Sequence, residues 1–246
     1  MRRILLSLAV FAALLAPARV QAQGPFSPAE RDEIKRLMVE MLRERPELVL
    51  EALEAIEAKR EAQTRARSSE SVRERKADLY DDAAAPVAGN PRGNLAIIEF
   101  FDYRCPYCKQ MHAPMKALLA GDRELRVIRK DLPILGPASI VASHAALAAR
   151  AQEKYPAFHD ALMEFRGQLD EAAVFRIAAD LKLDVARLRR DMESPAVVSL
   201  LQRNVALAQA LGITGTPALV IGDALVPGAI DVETMKKLVA EARAKR

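Results

Sequence analysis

The sequence predicts an α/β fold preceded by a helical extension, on three observations. Leu95 to Phe101 is an apolar, β-branched and aromatic run around Glu99, which reads as a buried strand. Ala138 to Leu211 is almost wholly helical in pattern, with breaks near Pro156, Gly167 and Pro195. Ala218 to Ile221 and Ala224 to Val226 form a hairpin across Gly222-Asp223, and Asp231 caps a last helix running towards Arg246. Strand, helix, strand, helical excursion, hairpin and helix make an α/β plan.

The first residues are a leader. Met1-Arg2-Arg3 is a basic start, and Ile4 to Ala16 is an apolar stretch shorter than the ~20 residues a membrane-spanning helix needs. Val20-Gln21-Ala22 offers a cleavage site, with Ala18 as an alternative, so residues 1–22 read as a signal peptide. Its removal takes away Arg2, Arg3 and Arg19 and lowers the formal net charge from +4 to +1, so the basic balance does not point to nucleic acid. Export implies a compartment that permits disulfides.

Residues 23–82 are expected to be a helical oligomerisation region and a charged linker. Ile34, Leu37, Met38, Met41 and Leu42 fall on one stripe of a helix from about Pro28 to Arg45. Ser27 caps it, Pro28 suits its first turn, and Glu30 completes a capping box. Pro46 starts a second helix whose stripe is Val49, Leu50, Leu53 and Ile56. From Lys59 to Lys76 apolar residues almost vanish, which predicts a solvated helix or mobile linker. The two striped helices are too small for a core of their own, so they dock in cis or join copies of the chain. Association through residues 27–60 is favoured because a polar spacer follows them.

The main domain is expected over residues 83–246, with its helical insertion at about 138–211. Asn90 to Asn94 is a turn cluster, Leu95 to Phe101 the first strand, and Arg104 to Leu119 a helix with Gly121 past its end. Leu125 to Leu132 supplies a second strand.

The two cysteines stand together as Cys105-Pro106-Tyr107-Cys108, where a strand passes into a helix. This spacing sets the thiols about one helical turn apart. Cys105 lies at the helix N-terminus, where free N–H groups and the positive end of the dipole favour a thiolate, the attacking species. Cys108 points inward and is read as the resolving thiol. A structural zinc site would need four ligands, and no second cysteine pair exists. A four-residue disulfide loop would constrain little chain, so redox chemistry is the reading. No cofactor is expected beyond a redox-active disulfide Cys105–Cys108, and no metal is assigned.

Glu99 stands among Ile97, Ile98, Phe100 and Phe101, and burial would raise its pKa and let it exchange a proton as Cys108 reacts. Lys130 is its expected partner. Met111 and Met115 read as core residues and His112 as a partly exposed helix residue. A soft Cu(I) site from Cys105, Cys108, Met111 and His112 is the alternative. His144 and His159 have no ligand pattern around them and receive no function.

The run Glu99-Phe100-Phe101-Asp102-Tyr103-Arg104-Cys105-Pro106-Tyr107-Cys108-Lys109 resembles the active-site segment of the DsbA-like branch of the thioredoxin superfamily. Thr216-Pro217, after Gly215 and before a strand, resembles its cis-proline loop, and the helical stretch between resembles the DsbA-type insertion. The likeness covers roughly Pro86 to Arg246. It implies a thioredoxin fold, Thr216 and Pro217 beside Cys105 as substrate-binding residues together with Pro106 and Tyr107, and Glu99 as the buried acid. With its helical extension the chain is similar to the bacterial suppressor-of-copper-sensitivity C (ScsC) proteins. That implies a periplasmic, oligomeric disulfide isomerase or reductase acting on unfolded or misdisulfided proteins, with a membrane redox partner and a link to copper resistance. A DsbA-type oxidase and a Cu(I)-binding or client-holding module are the alternatives.

Overall fold

The computed structural model describes residues 25–245, so the expected leader at 1–22 lies outside them. The chain divides into two compact units between Ala58 and Lys59. Helix α1 spans Pro28–Glu44, and α2 spans Glu47–Glu74 across that division. The capping box forms: the Glu30 amide donates to Ser27 Oγ, and the Ser27 amide donates to Glu30 Oε2 at 2.7 Å. The apolar stripes form as expected, and they stay exposed: Leu37 is 52%, Met38 54% and Leu50 63% accessible.

The second unit starts earlier than residue 83. The segment expected as a solvated helix or linker continues α2 to Glu74, and α3 follows at Lys76–Tyr80. Val72 and Leu79 are buried in one core with Ile98, Phe100 and Leu207, so these few apolar residues are enough to anchor the segment. Five strands form the sheet in the order β1-β3-β2-β4-β5. They are β1 Val87–Gly89, β2 Leu95–Phe101, β3 Leu125–Asp131, β4 Ala218–Ile221 and β5 Ala224–Pro227. Strand β2 runs parallel to β3 and antiparallel to β4, so all seven of its residues are buried, Glu99 among them, as a mostly apolar central strand requires. Strand β1 was not expected: it is three residues long and ends at Gly89, whose φ is +78°. A Cβ there would meet the Leu125 carbonyl oxygen at 2.6 Å, so glycine permits the pairing with β3.

Side-chain alternation splits the β2 residues between two layers. Leu95 and Ile97 face α4 (Pro106–Gly121) and α10 (Val232–Ala244), against Met111, Met115, Met235 and Val239. Ala96, Ile98 and Phe100 face α3 and α9 (Pro195–Ala210). The insertion comprises α5 (Pro137–Ala148), a 3-10 turn (Ala149–Gln152), α6 (Tyr155–Glu164), α7 (Glu171–Asp180) and α8 (Val185–Met192), and runs on into α9. Pro156 lies in the first turn of α6 and Pro195 in that of α9, where proline starts a helix. One further break separates α7 from α8: Lys182 has φ +61°, and the Asp184 side chain caps α8.

Candidate functional site

The site lies where β2 ends and α4 begins. Asp102 fixes this turn. Its carboxylate accepts from the Arg104 amide at 2.7 Å, the Leu135 amide at 3.1 Å and Ser139 Oγ at 2.8 Å, tying the turn to the start of α5. The Asp102 carbonyl accepts from the Cys105 amide at 3.1 Å. Cys105 is therefore held as the N-cap of α4, with Pro106 opening the helix. Lys109 clamps the other side, donating through Nζ to the carbonyls of Leu162 and Phe165, which end α6.

The two thiols have different environments. Both are free, Cys108 is fully buried and Cys105 is 4% exposed. The Cys105 thiol is lowered to about 6, chiefly by a hydrogen bond from Cys108. The Thr216 side chain and the amides of Cys108 and Tyr107 add to this, and burial opposes it. The Cys108 thiol is pushed far up, first because its proton serves Cys105 and then by burial. One sulfur is thus a thiolate at neutral pH and the other holds a proton.

Thr216 and Cys105 are 111 residues apart in sequence, yet Cys105 Sγ lies 3.2 Å from the Thr216 carbonyl oxygen. The Thr216–Pro217 peptide is cis, and Pro217 is buried at the head of β4. Pro106 and Tyr107 are exposed at the rim, Tyr107 by 60%. Ile134 and Leu135, in the loop that Asp102 holds, are exposed by 45% and 43% and extend this apolar rim. Sequence reading missed these two because loop residues carry no periodicity.

Glu99 is buried, on the β2 face that packs under α4, and burial raises its pKa against the pull of Arg129. The expected partner Lys130 is not beside it. In the parallel register Glu99 stands opposite Arg129 and Phe100 opposite Lys130, so alternation sends Lys130 to the other face. There its Nζ bonds Asp82 Oδ2 at 2.9 Å and the Asp78 carbonyl at 3.3 Å. Asp131 shares the Arg129 side of β3, and neither of its oxygens has a hydrogen-bond partner in good geometry. Burial raises it to about 7, with Ser143 and Arg129 opposing.

His112 is 5% exposed, a correction to the expected part-exposure: α6 covers that side of α4. His159, given no role from sequence, lies beside it at 5.5 Å between ring centroids, and its Nδ1 is 3.0 Å from the Tyr103 hydroxyl. Burial lowers both rings, which leaves them neutral at neutral pH. Their 47-residue separation hides the pairing from any reading of spacing. His144 Nδ1 lies 3.0 Å from the Met192 carbonyl oxygen, a contact that ties α5 to the end of α8. Met111 and Met115 are core residues as expected.

The chain is similar to known proteins in sequence and fold. The DSBA-like thioredoxin domain family matches residues 96–240. A thioredoxin-like oxidoreductase from Silicibacter pomeroyi is 46% identical, over 68% of this chain and 97% of that one, with a TM-score of 0.67. Proteus mirabilis ScsC in a transitional conformation is 31% identical, over 90% of this chain and 100% of that one, with a TM-score of 0.66. The thiol:disulfide interchange protein DsbA of Bordetella parapertussis is 28% identical over 59% of this chain and 72% of its own length. The chain also matches Na(+)/H(+) antiporter NhaA 3 of Salinispora tropica at 27% identity over 63% of itself, spanning only 24% of that protein's length. The match over most of the second unit, with the paired thiols at the N-terminus of α4 and the cis Thr216–Pro217 loop against them, places this chain in the DsbA-like thioredoxin family of thiol–disulfide oxidoreductases.

Proposed function

We propose that this chain is a periplasmic protein-disulfide isomerase or reductase that works as a homo-oligomer. The observation that carries the exchange chemistry is the split thiol pair: a low-pKa Cys105 beside the Thr216 carbonyl, and a buried, protonated Cys108 behind it. The Cys105 thiolate attacks a client disulfide, forms a mixed disulfide and releases one client thiolate. In isomerisation a client thiolate then attacks the client sulfur of that bond, returning Cys105 unchanged with no net electron transfer. If the intermediate stalls, Cys108 gives up its proton and attacks Cys105. The client leaves reduced by two electrons, and Cys105–Cys108 becomes a disulfide. Glu99, buried on the face beneath α4, is the group proposed to take that proton. The resting enzyme is regenerated by a thiol reductant, supplied through a membrane redox partner. No bound group besides the two sulfurs enters these steps.

The Thr216 backbone suits an extended client segment, and Tyr107, Ile134 and Leu135 suit the apolar side chains of an unfolded chain. Periplasmic placement rests on the leader-like first residues and on a structural relative, described as a periplasmic thioredoxin-like protein, from Salmonella enterica. Among the described residues no helix is long and apolar enough to cross a membrane. The isomerase direction rests on the exposed stripes of α1 and α2, which can join copies and face several thiolates towards one client. The low Cys105 pKa supports the competing reading, a DsbA-type oxidase, because it stabilises the reduced form and makes the disulfide oxidising.

The deciding experiment follows reactivation of a scrambled-disulfide protein by the reduced full chain, alongside sedimentation. The expected outcome is an oligomer that reactivates the client. Leu37→Glu with Leu50→Glu should yield a monomer that still reduces a small disulfide but no longer reactivates the client. A monomeric parent chain that fails to reactivate the client, but rapidly oxidises reduced clients, establishes the oxidase reading instead.

A further inference from the structure

We propose that His112, His159 and Asp160 form a binding site for one borderline divalent cation, zinc foremost, linking the redox helix α4 to helix α6 of the insertion. The site is distinct from the thiol pair and uses neither cysteine. Each residue offers one ligand atom, and the three atoms lie within 4.8 Å of one another. Ligands about 2.0–2.1 Å from a tetrahedral zinc stand about 3.4 Å apart, and His112 Nε2 already lies 3.4 Å from Asp160 Oδ1. The wider separations close with about 1 Å of side-chain movement, and Asp160 is only half-buried.

Two features separate this cluster from an ordinary ion pair. His112 Nε2 is buried and has no hydrogen-bond partner, although a carboxylate oxygen is near, because the geometry is wrong for N–H donation. His159 is held through Nδ1 by the Tyr103 hydroxyl, which orients the ring, an outer-sphere contact of the kind that steadies metal-bound imidazoles. Two imidazoles and one carboxylate suit zinc and its neighbours. Calcium and magnesium prefer oxygen alone, and Cu(I) prefers sulfur.

Lys116 opposes the cation and so supplies a test. Its Nζ bonds Asp160 Oδ2 at 3.0 Å and Glu164 Oε1 at 3.1 Å. It leaves Asp160 Oδ1 to the site, and its side chain is 46% exposed and able to swing away. Glu164 Oε1, 3.7 Å from His112 Nε2, is then placed to serve as a fourth ligand.

Calorimetric titration of zinc chloride into the chain lacking only the expected leader at 1–22, oxidised so that both sulfurs are occupied, tests the proposal. The expected result is one zinc per chain. Affinity should be about tenfold or more weaker in His112→Gln and in Asp160→Asn, and several-fold tighter in Lys116→Met. Cobalt at the site should show tetrahedral d–d bands without a sulfur charge-transfer band. Asp160→Asn, at a half-buried position, remains decisive if His112→Gln fails to fold. Substoichiometric zinc, unchanged affinity in folded Asp160→Asn, affinity not raised in Lys116→Met, or a sulfur-to-cobalt band overturns it.

Discussion

Helices α1 and α4 carry methionine–leucine stripes of the same helical period, and the two stripes differ in burial. In α4, Met111, Met115 and Leu118 are 1%, 2% and 3% exposed, covered by Ile97, Met235 and Val239. In α1, Leu37, Met38 and Met41 are 52%, 54% and 45% exposed. Period therefore identifies the apolar face of a helix, and only tertiary structure says what covers it. The covered helix positions chemistry at its N-terminus. The uncovered one is the surface proposed to meet other copies of the chain.

The largest expected effects are at the thiols of α4. Cys105→Ser should abolish all exchange, whereas Cys108→Ser should accumulate mixed disulfides through Cys105, seen by mass spectrometry after non-reducing quench. Alkylation of Cys105 should titrate near pH 6, following its lowered thiol. Preferential labelling of Cys108 at neutral pH would reverse the assigned roles.

A smaller effect measures the two stripes directly. Met115→Ala removes a side chain from a closed core and should cost about 2–5 kcal/mol in denaturant unfolding. Met38→Ala, measured at dilution where chains are separate, should change stability by less than about 0.5 kcal/mol, yet weaken association at higher concentration. Equal destabilisation by the two substitutions would erase the contrast.

Much of the second unit is readable in the sequence because local rules decide it. The six apolar residues that flank Glu99 in Leu95–Phe101 need a buried strand, Asp231 caps α10 through the Thr234 amide, and Cys-x-x-Cys opens a helix. What escapes is set by tertiary pairing. Three-residue β1 depends on Gly89 meeting β3 closely, and Val72 and Leu79 look incidental among charges until they are seen in the core. The Arg129 partner of Glu99 depends on strand register, which the sequence leaves open. The His112–His159 contact depends on how the insertion folds back over α4.

That register also separates two neighbouring buried ionisable residues, Lys130 and Asp131, and gives a smaller effect than the Met115 truncation. Lys130 is paired with Asp82, whose carboxyl is held below its ordinary value: burial is the largest influence and raises it, but the Lys130 hydrogen bond and charge, the Ala84 amide and the Arg203 charge together outweigh burial. This pair stabilises the fold above the unfolded carboxyl pKa and loses that contribution as pH falls through the lower folded value. Asp131 behaves in the opposite sense. Its folded pKa of about 7 exceeds its ordinary 3.8, so between these values the native chain keeps a proton that the unfolded chain has lost. Stability must fall as pH rises across that window and level off above it. Asp131→Asn removes the titration and should flatten the profile, by about 1–3 kcal/mol between pH 4 and pH 8 once water penetration is allowed for. The substituted amide still needs a partner, so absolute stability at pH 4 should not improve. Thermal unfolding midpoints of the parent chain and the variant over that range provide the measurement. Parallel profiles would place the proton on another group, with Glu99, whose carboxyl is also raised by burial, the next to replace.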